Sequence, residues 1–168
     1  DESLRILHIA WLPGADNRKH LGKTLRAYCD EIGKPPADAL CDLLIEERLA
    51  VLLVFRWGDD SLAYPFFQHE RFIMGSDGIY FPDGEVHPRV YGSATRLIGR
   101  AVRDWKLFSL EDAVYKQSGY PAARFGMKNR GVLKEGYFAD VVVFDADTVD
   151  DPATLDQLLA PDVVLVQP

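Results

Sequence analysis

The sequence predicts an α/β fold that ends in a small separate sheet. Three observations carry this expectation. Short continuous apolar runs alternate with stretches of helical spacing as far as about residue 126. After Gly126 the pattern changes to short β-branched runs between turn signals. Hydrophobic residues make up 48% of the 168 and aromatic residues 11%, enough for a real core. The expected division is 1–126 as βα units and 127–168 as a small β-domain.

The elements follow in order. Leu4 to Ala10 reads as a short strand closed by Pro13-Gly14. From about His20 to Ile32 the apolar positions Leu21, Leu25, Tyr28, Cys29 and Ile32 fall at helical spacing, and Gly33 supplies the stop. Pro35-Pro36 opens a second helix whose expected apolar face is Ala37, Leu40, Cys41, Leu44 and Ile45. Ala50 to Phe55 is a continuous apolar run, the pattern of a parallel strand covered on both faces. Ser61 is the expected cap of a short helix reaching Gln68, with Pro65 against it. Arg71 to Gly78 reads as a second buried strand with a polar, glycine-flanked tip. Residues 79–93 read as a long loop and Ala94 to Asp104 as a helix. Ser109-Leu110-Glu111-Asp112 matches a capping box for a helix through Gln117. The final strands are expected at 131–133, 139–144 and 163–166.

The formal net charge is -7 and no basic footprint is present, which argues against nucleic acid as a partner. No apolar run approaches the ~20 residues that span a bilayer. Cys29 and Cys41 show no metal-ligand spacing, so reduced thiols in a cytoplasmic protein are expected.

Gly75-Ser76-Asp77-Gly78 carries the strongest chemical signal. In parallel α/β folds the carboxyl ends of strands hold reactive groups, because loops vary there while the sheet stays rigid. A carboxylate at such an end can bind a divalent cation or accept a proton; it can equally cap a turn. His87-Pro88-Arg89 follows, then Tyr91-Gly92. An arginine fork over a strand end suits a carboxylate on a small substrate, or one of the chain's own acidic residues. His87 reads as a proton donor, a metal ligand or a loop-ordering group. Arg130 to Asp145 reads as structure, two glycines bracketing a hairpin turn before an apolar strand.

Together these stretches, with Pro-Ala-Ala-Arg-Phe-Gly at 121–126 and Glu-Gly-Tyr-Phe-Ala-Asp-Val-Val-Val-Phe at 135–144, resemble the N-acyl-D-amino-acid deacylases of the amidohydrolase superfamily over residues 4 to 155. The resemblance implies the carboxy-terminal part of a (β/α)₈ barrel followed by part of a small β-sandwich domain. It implies zinc-dependent hydrolysis of the amide bond of N-acyl-D-amino acids, with Asp77 as metal contact and general base on the attacking water. Arg89 would hold the substrate α-carboxylate, with Ser76, His87 and Tyr91 as further substrate-binding candidates. The family's other zinc ligands include a His-x-His pair, whereas this chain has only His8, His20, His69 and His87, none in that arrangement. Its tail from Gln157 also departs from the family's usual ending.

Zinc is therefore expected in the intact enzyme and is not required of this chain, which would be inactive alone and prone to self-association or to pairing with a missing amino-terminal part. Two rivals stand beside this reading: a non-catalytic module that binds a small acid or a partner chain, and a dihydroorotase-like cyclic amidase.

Overall fold

The computed structural model describes residues 2–55 and 58–152. They fall into two units, one built from Asp1–Gly58 with Gly78–His87, the other from Asp59–Asp77 with Pro88–Ala153.

In the first unit, β1 (Leu7–Trp11) and α1 (Leu25–Ile32) are followed by α2 (Pro36–Glu46) and β2 (Leu52–Phe55). Thr24 starts α1 by accepting a hydrogen bond from the Ala27 amide at 3.1 Å. Gly33 ends it at φ +70°, a left-handed cap that glycine adopts without a Cβ penalty. Proline sits in the first turn of α2, where no N–H is needed. Ile9, Leu12, Leu25, Tyr28, Cys29, Ala39 and Leu43 form the buried cluster, with Leu40, Val51 and Leu53 packed against it. Glu47 is buried just beyond α2, and its carboxylate accepts from the Gly14 amide and the Asn17 side chain, each at 2.7 Å. Burying a carboxylate without such donors would be costly, so these bonds fix the 14–17 loop against the helix end. The Gly78–His87 segment is seated by a Trp11–Phe81 ring stack at 4.1 Å and by the Glu85 amide donating to the Ala10 carbonyl at 2.7 Å.

Several expectations change here. The first strand runs from Leu7 to Trp11, not from Leu4 to Ala10, and a short 3₁₀ turn covers Glu2–Leu4. The helix expected from His20 begins at Leu25, because Thr24 provides the cap. β2 is not a parallel strand covered on both faces: it pairs antiparallel with β1, Leu7 opposite Phe55 and Ile9 opposite Leu53, and Phe55 is exposed. On α2 the buried residues are Ala39 and Leu43, so the face is rotated from the expected one and Cys41 and Ile45 point outward.

The second unit holds α3 (Tyr64–Gln68), α4 (Arg89–Ile98), α5 (Leu110–Gln117) and α6 (Gly119–Arg124). Asp59, not Ser61, caps the start of the short turn before α3: its carboxylate accepts from the Ser61 amide at 2.9 Å. Pro65 is tolerated because α3 begins at Tyr64, which leaves the proline in its first turn. Ser109 accepts from the Asp112 amide at 3.1 Å, the expected cap of α5. α5 packs against both α4 and α6, with Leu97, Ala101, Ala113 and Ala122 buried. Buried Lys116 on α5 donates to the His69 carbonyl at 2.6 Å and lies near the Phe72 and Phe108 rings.

The strand expected at Arg71–Gly78 is absent, and so are those at 131–133 and 139–144; the one expected at 163–166 lies outside the described residues. A strand exists through its ladder, and no neighbouring backbone among the described residues pairs with these segments. Val141, Val142 and Val143 are exposed, Val143 to 92%. The hairpin glycines do adopt left-handed conformations, Gly131 at φ +84° and Gly136 at φ +81°. α4 begins five residues before the expected helix start, so Arg89 and Tyr91 are helical residues, not loop residues. Among the described residues no helix is long and apolar enough to cross a membrane.

His20 is buried in the first unit, edge-on to Tyr28. Burial, and next the Lys23 ammonium, hold its pKa below the usual 6.5, against an opposing pull from Glu31. The unfolded chain therefore takes up a proton below about pH 6.5 that the folded chain resists. Stability is expected to be intact above that pH and to fall as pH drops through the lowered folded pKa. Urea midpoints measured between pH 7.5 and 5 should show this decline and should show less of it in His20→Asn.

Candidate functional site

Asp77 closes the irregular segment after α3, and its φ of +48° places it in the left-handed region. Aspartate tolerates that region better than most residues, though with some strain, and a Cβ at Gly75, two residues earlier, would meet nothing within 4 Å. Arg89 opens α4 directly after buried Pro88, whose φ of -50° is already helical. The Ser93 hydroxyl donates to the Arg89 carbonyl at 2.6 Å and tightens this first turn.

These elements bring the two principal candidates together. The Arg89 Nη2 lies 3.0 Å from the Asp77 Oδ2. The Asp77 side chain is 80% exposed and that of Arg89 37%, so the pair faces water. Ser76 precedes Asp77 and is half-buried. Tyr91, also half-buried, lies two residues beyond Arg89, about 200° further round the helix, so the two side chains leave it in different directions. His87 is half-buried and belongs to the first unit, whereas Ser76, Asp77, Arg89 and Tyr91 belong to the second.

Support comes from Gly92 and from Asp151, which the sequence reading passed over. Gly92, one turn into α4, faces the carboxyl group of Asp151, and a Cβ built at Gly92 would overlap it. Asp151 is buried, 3% exposed, and its Oδ2 lies 3.5 Å from the Arg96 Nη1. Gly92 lies in the stretch expected as loop; in the structure it is helical, and its lack of a side chain makes room for Asp151. Nothing local marks Asp151, one of 26 acidic residues.

Among the described residues no group of three or more His, Cys, Asp or Glu side chains is placed to hold a metal ion. A catalytic zinc takes about three protein ligands. Asp77 offers one carboxylate, so these residues do not make up a zinc site by themselves.

The Amidohydrolase family model matches residues 69–166, more than half of the chain, and the chain belongs to that family. The match includes the tail from Gln157. The chain is 51% identical over 98 residues to the N-acyl-D-glutamate deacylase of Alcaligenes xylosoxydans xylosoxydans, covering 58% of this chain and 20% of that protein. Among solved structures it resembles the N-acyl-D-glutamate deacylase of Bordetella bronchiseptica, determined with zinc and a phosphonate mimic of the tetrahedral intermediate. There the TM-score is 0.80 at 36% identity, over 94% of this chain and 31% of that one. A D-aminoacylase structure, described as defining a novel subset of amidohydrolases, matches with a TM-score of 0.78 at 32% identity, over 94% of this chain and 32% of that one. The chain thus spans about a fifth of the curated relative and about a third of each structure.

An exposed ion pair contributes little to stability, typically ~0–1 kcal/mol. Asp77→Asn is therefore expected to change the unfolding free energy by less than about 1 kcal/mol in urea titrations. A larger loss would make Asp77 a structural residue.

Proposed function

We propose that this chain is the carboxy-terminal portion of a zinc-dependent hydrolase that cleaves the amide bond of N-acyl-D-amino acids. Residues 1–126 would complete its barrel and 127–168 part of its small β-domain. In this reading Asp77 accepts the proton of the attacking water and returns it to the leaving amine, and Arg89 holds the substrate α-carboxylate. Ser76, His87 and Tyr91 supply further contacts to the substrate.

The observation that carries the reading is the Asp77–Arg89 pair. Two residues twelve apart in sequence converge at 3.0 Å, and each gives the other the kind of group it would meet in the working site. The Asp77 carboxylate stands in for a substrate carboxylate on Arg89, and the guanidinium stands in for a cation beside Asp77. The substrates named for the relatives, N-acylated D-amino acids, carry such a free carboxylate. A linear substrate with a carboxylate also accounts for Arg89 better than a cyclic amide does.

One observation favours the non-catalytic alternative for the chain taken alone: the described residues assemble no metal site. The two readings agree that zinc needs ligands from outside these residues. The exposed apolar residues, Leu133 and Val141 to Val143 among them, further support association with another chain or with more of the same polypeptide.

The purified chain, with zinc added, is expected to show no hydrolysis of N-acetyl-D-glutamate. In sedimentation velocity at micromolar concentration it is expected to run heavier than its 18.9 kDa monomer. Zinc-dependent turnover that disappears in Asp77→Asn would show that the chain holds a complete site. A single monomeric species would show that its apolar surface is tolerated in water.

A further inference from the structure

We infer that Asp151 is a positioning residue that sets the direction of Arg89, so that the segment following the 139–144 run controls the carboxylate-binding side chain. This rests on the proposal that Arg89 receives a substrate carboxylate.

The inference starts from the seating of residues 147–151 on α4 and the wider turn Arg100–Asp104 that follows it. Two glycines, seven positions apart, make the contact surface. A Cβ at Gly92 would overlap the Asp151 carboxyl group, and a Cβ at Gly99 would overlap the Val149 carbonyl oxygen. Three arginines then hold the segment along its length. Arg96 Nη1 lies 3.5 Å from the Asp151 carboxylate. Arg100 donates to the Asp151 carbonyl and to the Asp150 carboxylate, each at 2.8 Å. Arg103 donates to the carbonyls of Val149 at 2.9 Å and Asp147 at 3.2 Å.

The contact therefore reaches within one helical turn of Arg89. Positions three apart share a helix face, so the surface under Asp151 is the face from which Arg89 departs. An exposed pair such as Asp77–Arg89 lacks the strength to fix a helix end, whereas a buried carboxylate held by donors along its segment fixes it firmly. Asp151 touches neither substrate nor reacting atoms in this account; it acts through Arg89.

The test follows the Arg89 Nε–H signal by ¹⁵N NMR in the full chain, assigned by its loss in Arg89→Lys, with exposed Arg71 as the control. Asp151→Asn removes the charge and keeps the shape; Gly92→Ala pushes on the carboxyl group from the helix side. Arg96→Gln, at a partly exposed position, loosens the hold if either of those variants fails to fold. In folded variants with unchanged circular dichroism, the Arg89 signal is expected to move or broaden while that of Arg71 stays. Titration with N-acetyl-D-glutamate is expected to shift the wild-type Arg89 signal, and Asp151→Asn to weaken that response by about tenfold. Unchanged Arg89 signals and carboxylate responses in the folded variants would overturn the inference. A wild-type signal that ignores N-acetyl-D-glutamate, yet moves in the variants, would uphold the positioning role and remove the carboxylate reading of Arg89.

Discussion

A carboxylate shut away from water must be met by donors, and in this chain the carboxylate of Asp151 meets that requirement on the surface of α4. Gly92 gives it space and Arg96 gives it charge. Arg100 and Arg103 hold the backbone on either side. Removing one member of a buried charge pair typically costs about 3–5 kcal/mol, less where the partner, as here, keeps some access to water. The closure is made on the helix that also carries Arg89 and packs against α5. α4 is held where its first residue reaches Asp77, and α5 packs behind it with α6.

The first unit depends on a different kind of constraint, apolar burial around Ile9, Leu25 and Leu43, with Glu47 a deeply buried acid beside it. Much of it is legible in the sequence because its signals are local. Pro36 opens α2 and Gly33 closes α1, and in the second unit Ser109 caps α5 in the same way, each through backbone chemistry that needs no distant partner. The strands are less legible. The apolar runs at 50–55, 71–74 and 139–144 look alike in sequence, yet among the described residues only the first finds a partner, β1, and becomes a strand. Its antiparallel direction is invisible to periodicity, which reports how a run is covered and not what it pairs with.

The candidate site divides in the same way. Asp77 and Arg89 stand out by residue type and by the glycine and proline beside them, and the structure brings them into contact. That Arg89 belongs to a helix is hidden by Gly92, a residue whose small size serves a contact made 59 positions away. Asp151 carries no local mark at all. Long-range polar contacts of this kind depend on the folded path of the chain, and no spacing rule reports them.

The central proposal is that Asp77 and Arg89 are the acid–base and carboxylate-holding residues of an amidohydrolase whose metal ligands are not completed by the described residues. It is tested most directly by joining this chain behind the unmatched part of the Alcaligenes N-acyl-D-glutamate deacylase and measuring zinc-supported hydrolysis of N-acetyl-D-glutamate. The account predicts turnover by the fusion, a loss of about 10²–10⁴-fold in kcat for Asp77→Asn, and a raised KM for Arg89→Met. An active fusion in which Asp77→Asn leaves kcat unchanged would contradict it.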